Sequence, residues 1–188
     1  HFAVIPDNFK ELTLKPSVKE DDIVKAGTPV FYAKENPSIV VTSPVDGVVE
    51  KIDRGERRHI NFMIIKREAT KAIDYEHFQI NDIKSLTREQ IIETLLKSGA
   101  WTYIIQRPYG IIANPADNPK SIHISCFDTS PLAPDYAFVL EHFPDILQLA
   151  VDVLKKLTSG TVNLNIEDEA RANNPFLKIK GAVVNRFK

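Results

Sequence analysis

The stretch KPSVKEDDIVKAGTPVFYAKENPSIVVTSPVDGVVEKI, Lys15–Ile52, decides how the N-terminal part of the chain folds. Its β-branched and aromatic residues come in short runs at Ile23-Val24, Pro29 to Tyr32, Ile39 to Val41 and Val48 to Ile52, and the pattern continues at Phe62 to Ile65. None is long enough for a helix. Between them stand Asp21-Asp22, Ala26-Gly27-Thr28, Asn36-Pro37-Ser38, Asp46-Gly47 and Arg54-Gly55-Glu56. These residues tolerate positive φ or preset φ near the turn value, so each group marks a reversal of the chain. Five reversals in about forty residues predict antiparallel hairpins with little helix.

The order of acidic pair, Lys-x-Gly, strand, tip, strand and Ser-Pro-x-Asp-Gly-Val-Val resembles the barrel-sandwich hybrid of biotinyl and lipoyl carrier domains. A carrier needs a lysine at the hairpin apex. Here the tip reads Lys34-Glu35-Asn36-Pro37, with Lys34 ahead of the turn. The carrier reading therefore stands as an alternative, beside the reading of Lys34 as a solvated charge.

Past residue 68 the pattern changes to alternating helix and strand. Thr87 and Gln90 form a capping box, Ile91, Ile92, Leu95 and Leu96 share one face, and Gly99 is placed to close a helix over 87–98. Ser121 to Phe127 reads as a strand with Ile122, Ile124 and Cys126 on one side. Apolar residues then recur every three or four positions from Tyr136 to Leu157, interrupted by Pro144, which must kink or split the helical segment. Thr161 to Ile166 is the next strand, so strand, loop, helices and strand make a β-α-β unit with an expected parallel sheet and right-handed crossover, and Val183 to Lys188 reads as a further apparent strand. The predicted architecture is α+β: a β-rich barrel-sandwich hybrid at 1–68, without an acceptor lysine, and an α/β Rossmann-like region at 69–188. The chain opens at His1 without a leader and closes on an apparent strand; the expectation is a piece of a longer protein, truncated at its C-terminal end.

Composition narrows the classes of function. The 188 residues include 24 Lys plus Arg against 25 Asp plus Glu, leaving no global field for nucleic acid. The single cysteine, Cys126, excludes an internal disulfide and a cysteine-ligated zinc or iron-sulfur site held by this chain alone. No apolar run reaches the ~18 residues of a membrane span. His59, His77, His123 and His142 are scattered singly, and no metal site is expected.

Four blocks, in order, carry a family resemblance: Lys15 to Ile52 with Arg54-Gly-Glu-Arg-Arg58, Ser98-Gly-Ala-Trp-Thr102, Arg107-Pro-Tyr109, and Phe127-Asp-Thr-Ser-Pro-Leu-Ala-Pro-Asp135. From about residue 12 to 166 the chain resembles the A subunit of the bacterial sodium-translocating NADH:quinone oxidoreductase. That family is similar to the C subunit of Rnf complexes and, more distantly, to the flavin-binding subunit of respiratory complex I. The resemblance implies a peripheral subunit on the cytoplasmic face of the bacterial inner membrane. Its implied partners are the other subunits, above all the membrane B subunit, in a complex that oxidises NADH, reduces quinone and exports sodium. Flavins, an iron-sulfur cluster and quinone are implied for the parent complex. The chain's own role is then assembly, with quinone binding a further possibility and an orphan binding module the alternative.

The residues qualify that inheritance. A flavin or NADH phosphate needs a glycine-rich loop whose N–H groups converge. Between Gly99 and Gly110 this chain places bulky residues, so no redox cofactor and no catalytic residue are expected in it. Arg107 with Trp101 or Tyr109 could hold a quinone headgroup by donation and stacking; equally, the aromatics could be packing and Arg107 an ion-pair partner. The loop Asp128 to Asp135, including Leu132, follows a parallel strand at the end where open α/β sheets bind ligands; equally, Asp128 could simply cap a turn. Arg54, Arg57 and Arg58, with Lys66 and Arg67, concentrate positive charge on one hairpin, either a docking surface for an acidic partner or lipid headgroups, or a solvated hairpin.

Overall fold

A computed structural model describes residues 1–68, 83 and 85–188. His77 lies outside the described residues. Among the described residues the chain packs as two units, one drawn from 1–68 and 92–115 and the other from 83, 85–91 and 116–188. Residues 92–115, assigned by sequence to the second module, pack with the first.

The first unit contains β1 (Phe2–Val4), β2 (Leu14–Pro16), β3 (Ile23–Val24), β4 (Pro29–Ala33), β5 (Val40–Thr42), β6 (Gly47–Arg54) and β7 (Ile60–Arg67). All pair antiparallel, in a sheet ordered β1-β7-β6-β3 and another ordered β2-β4-β5. Between them lies one core built from Val24, Phe31, Val41, Val49, Met63 and Ile65 with their neighbours. The turn residues act as the sequence requires. Asp22 accepts from the Lys19 N–H at 2.7 Å, Thr28 from Lys25 at 3.0 Å, and Asp46 from Ala26 at 2.6 Å. Strict alternation would point Val49 and Lys51 to the same side. A bulge at Glu50 breaks the register between Val49 and Lys51, so that Val49 and Ile52 both face the core. The Glu20 carboxylate accepts the Ile52 N–H at 2.7 Å beside that bulge.

Helix α1 (Arg88–Lys97) carries the expected capping box. Gln90 Oε1 accepts the Thr87 N–H at 2.8 Å, and Thr87 Oγ1 accepts the Gln90 N–H at 3.3 Å. Gly99 ends it at φ 75°, where an added Cβ would stand 3.0 Å from the Thr42 hydroxyl on β5. A 3-10 turn (Ala100–Tyr103) then leads into a hairpin of β8 (Ile105–Gln106) and β9 (Ile111–Ile112).

In the second unit β10 (Ser121–Ser125), β11 (Thr161–Glu167) and β12 (Val183–Phe187) form a parallel sheet in that order. Between β10 and β11 come α2 (Tyr136–Val139) and α3 (Pro144–Lys155), with Pro144 in the first turn of α3. Pro144 thus splits the helical segment, as a residue without an N–H must. One face of the sheet is apolar: Ile122, Ile124, Val162, Leu164 and Ile166 pack with Val151 and Leu147 of α3. The other face is polar on β10 and β11, while β12 adds Val183 and Phe187 beside Asn185. There Asn185 donates to both Asn163 and Asn165 at 3.2 Å, and Asn163 to Thr161 Oγ1 at 3.1 Å. Parallel sheets usually bury both faces, so these amides satisfy one another where apolar side chains would otherwise be expected.

Candidate functional site

A cavity of about 300 Å³ opens in the second unit beyond the carboxyl ends of β10 and β11. Parallel pairing creates it. Ser125 and Asn165 stand in register, so the loop after β10 and the segment after β11 leave the sheet side by side. Asp128 and Asp135 from the first, and Glu167, Glu169 and Arg171 from the second, line the same space with Glu141.

Each side chain has a local reason for its pose. Asp128 closes an Asx turn by accepting the Ser130 N–H at 2.8 Å, and that bond holds its carboxyl below the usual carboxylate range. Leu132 is fully exposed at φ 63°. Asp135 caps α2 by accepting the Phe138 N–H at 3.1 Å, and its other oxygen lies 3.7 Å from Arg171. Asn174 caps the 3-10 turn at Pro175–Lys178 through the Phe176 N–H. Cys126 lies at the rim, buried, with its thiol pushed up to about 11 chiefly by desolvation.

The other candidates fall in the first unit. Trp101 is only 4 % exposed, and its indole N–H donates to the Ala113 carbonyl at 2.7 Å. It therefore ties down the base of the β8–β9 hairpin. Arg107 and Tyr109 sit in the connection between those strands and are exposed, Tyr109 at 75 %. Structure thus separates the three: Trp101 is core, whereas Arg107 and Tyr109 face solvent. Arg54 ends β6 and Arg57 sits in the β6–β7 connection at φ 54°; both are exposed, and the Arg58 side chain lies outside the described ones. Lys34 is exposed, its N–H given to the Thr13 carbonyl at 2.9 Å.

A model of the NqrA N-terminal barrel-sandwich hybrid domain matches residues 1–68, and one of the NqrA second alpha/beta domain matches residues 86–188. The chain belongs to the NqrA family. Its relatives include the A subunit of the Na(+)-translocating NADH-quinone reductase of Tolumonas auensis, 34% identical over 163 residues, which are 86% of this chain and 36% of that protein. The corresponding protein of Yersinia pseudotuberculosis serotype O:1b is 33% identical over 87% of this chain and 37% of its own length. That of Actinobacillus pleuropneumoniae serotype 5b is 33% identical over 98% and 41%. The chain thus spans about two fifths of the relatives it matches. The two sheets around one core are the barrel-sandwich hybrid of the NqrA family, and the parallel sheet with its helices is the α/β region.

The cavity's chemistry bears on what an NqrA-type α/β region can hold. A dinucleotide or flavin phosphate does not fit it: Asp128, Asp135, Glu141, Glu167 and Glu169 line it, and Arg171, the one cationic side chain among its described lining residues, lies 3.7 Å from Asp135. Four N–H groups between Gly99 and Gly110 are already committed within the segment or to the turn before it. Those of Gly99, Thr102, Ile104 and Gly110 are given to the carbonyls of Leu96, Gly99, Trp101 and Gln106. Among the described residues, no group of three or more His, Cys, Asp or Glu side chains is placed to hold a metal, and no helix is long and apolar enough to cross a membrane.

Sequence reasoning named Asp128 and Asp135 but missed Glu141, Glu167, Glu169 and Arg171. A signal was present: from Ser121 to Leu154 there is no Lys or Arg, while Asp128, Asp135, Glu141, Asp145 and Asp152 are acidic. Only the β10–β11 pairing adds the second group to the first.

Proposed function

We propose that this chain carries the first two domains of an A-type component of a sodium-translocating NADH-quinone reductase, and that it serves the complex as a peripheral, cytoplasm-facing assembly piece holding no redox cofactor of its own. The observation that carries this reading is the tandem match of two successive NqrA domains over 1–68 and 86–188. The acidic cavity and the internally paired 99–110 segment support the cofactor-free part. Flavins, an iron-sulfur cluster and quinone belong, in this reading, to the assembled complex, whose membrane B subunit is the principal partner.

In the same reading Arg107 and Tyr109 are the quinone-contact candidates of this chain, exposed on a hairpin whose base Trp101 holds rigid. Arg54 and Arg57 are the candidates for docking an acidic partner surface.

The deciding experiment tags the longer parent protein at its own locus, purifies it from gently solubilised membranes, and assays sodium-stimulated NADH:quinone activity. Co-purification with flavin-bearing membrane subunits and that activity support the assignment. A protein recovered alone from active membranes overturns it.

A further inference from the structure

The stretch after β10 exposes apolar side chains that the fold does not use. Tyr136, Ala137, Leu140 and Leu147 face the core of the second unit, and Val151 is buried in it. On the outside Phe138 is 70 % exposed, Val139 53 %, Phe143 48 % and Ile146 59 %. They sit close together, since the Phe143 N–H bonds the Leu140 carbonyl and the Glu141 N–H reaches back to Phe138. Isolated exposed apolar residues need no explanation, but a cluster at one corner does.

The charges around the corner are of one sign. Phe138 and Glu141 line the acidic cavity, together with Asp128, Asp135, Glu167 and Glu169. Asp145 follows in the first turn of α3. Arg171 is the basic exception, and it lies 3.7 Å from Asp135. An apolar corner rimmed by carboxylates repels anionic headgroups and nucleotides, and complements cations carried on an apolar body.

We propose that the corner formed by α2 and the start of α3, with the adjoining cavity, docks a basic, amphipathic segment of a partner protein. The partner's apolar residues would cover Phe138, Val139 and Ile146, while its Lys or Arg side chains enter among Asp128, Glu141 and Glu167. With Phe138 and the carboxylates lining one cavity of about 300 Å³, a long cationic side chain would lay its methylenes along Phe138 and its head among the carboxylates. This inference stands independently of the reductase assignment, because it rests on the surface of one unit alone.

The test uses the full chain and a labelled helical peptide of Leu and Lys, compared with its analogue bearing Gln at every Lys, by fluorescence anisotropy over a salt series. The basic peptide is expected to bind about tenfold more tightly than the Gln analogue, with an advantage that shrinks as salt rises. F138S/I146S and E141Q/D145N are each expected to weaken it about tenfold. All four side chains are exposed, so thermal unfolding should match that of the parent chain and confirm that the loss is local. Equal binding by the folded variants, or equal binding of the two peptides, overturns the proposal. So does chain binding to phosphatidylglycerol vesicles without peptide binding, which would make the surface a lipid contact. Self-association that F138S/I146S abolishes would overturn it too, by showing a second copy as the occupant.

Discussion

Replacing Trp101 by Phe separates the structural from the ligand-facing members of the Trp101, Arg107, Tyr109 set. The indole is 4 % exposed and donates to the Ala113 carbonyl at 2.7 Å. Phenylalanine retains one ring but removes the donor, leaving that carbonyl short of its partner at a cost of about 1–3 kcal/mol. The space vacated by the smaller side chain adds about 1 kcal/mol through lost contacts. Together W101F should destabilise the first unit by about 2–4 kcal/mol, a large share of the roughly 5–15 kcal/mol typical of a folded domain. Chemical denaturation followed by circular dichroism measures it, because the chain's one tryptophan is the residue removed. The midpoint should fall with the slope unchanged. R107A and Y109A, at exposed positions, should each stay within about 0.5 kcal/mol of the parent. If W101F costs less than about 0.5 kcal/mol, or Y109A costs as much as W101F, the division into buried anchor and exposed contacts is wrong. If the division holds, any loss of quinone affinity in R107A or Y109A reports on contact rather than on folding.

Three further outcomes follow from the geometry. G47A should cost about 2–4 kcal/mol, because its Cβ would collide with the Lys66 carbonyl oxygen and lie 2.8 Å from its carbon across the β6–β7 ladder. G55A, whose Cβ meets only the exposed Asn61 side chain at 2.9 Å, displaces at most that amide and its 2.8 Å bond to Asp53 and should cost under about 1.5 kcal/mol; equal urea midpoints for the two would refute this. Cys126, with its thiol pushed up to about 11, should resist a disulfide reagent at neutral pH and react fully once the chain is unfolded, a contrast that thiol counting reads directly. The Asp128 carboxyl, depressed by the Ser130 N–H, contributes stability that is present above its unfolded pKa and lost as pH falls through its lower folded value. Carbon-detected NMR titration should place its midpoint below that of an unfolded peptide, and a midpoint at or above the peptide value would contradict the Asx turn.

How far the chain could be read in advance differs between its parts. The hairpins of Lys15–Ile52 were legible because turn chemistry and strand propensity act over four to eight residues. The capping box at Thr87 and the break at Pro144 were legible for the same reason. The pair β10 with β11 was anticipated as a parallel unit, whereas the parallel pairing of β12 with β11 emerges only from the structure. Strands β1 and β2 left no mark in the pattern, since each is three residues long and gains its identity only from its partner strand. The bulge at Glu50 was equally silent: a run Val48 to Ile52 looks the same with or without an extra residue facing the ladder.

By itself the sequence determined the local grammar: where the chain turns, which faces are apolar, which glycines and prolines end elements, and the family whose blocks it carries. Those are short-range properties, written in side chains a few positions apart. Tertiary structure alone decided which distant groups share a site. It set Trp101 inside and Tyr109 outside, although both are aromatics near one hairpin. It also brought Glu167, Glu169 and Arg171 beside Asp128 and Asp135, because parallel strands deliver their loops to the same edge and spatial neighbours there are separated by the whole length of a crossover.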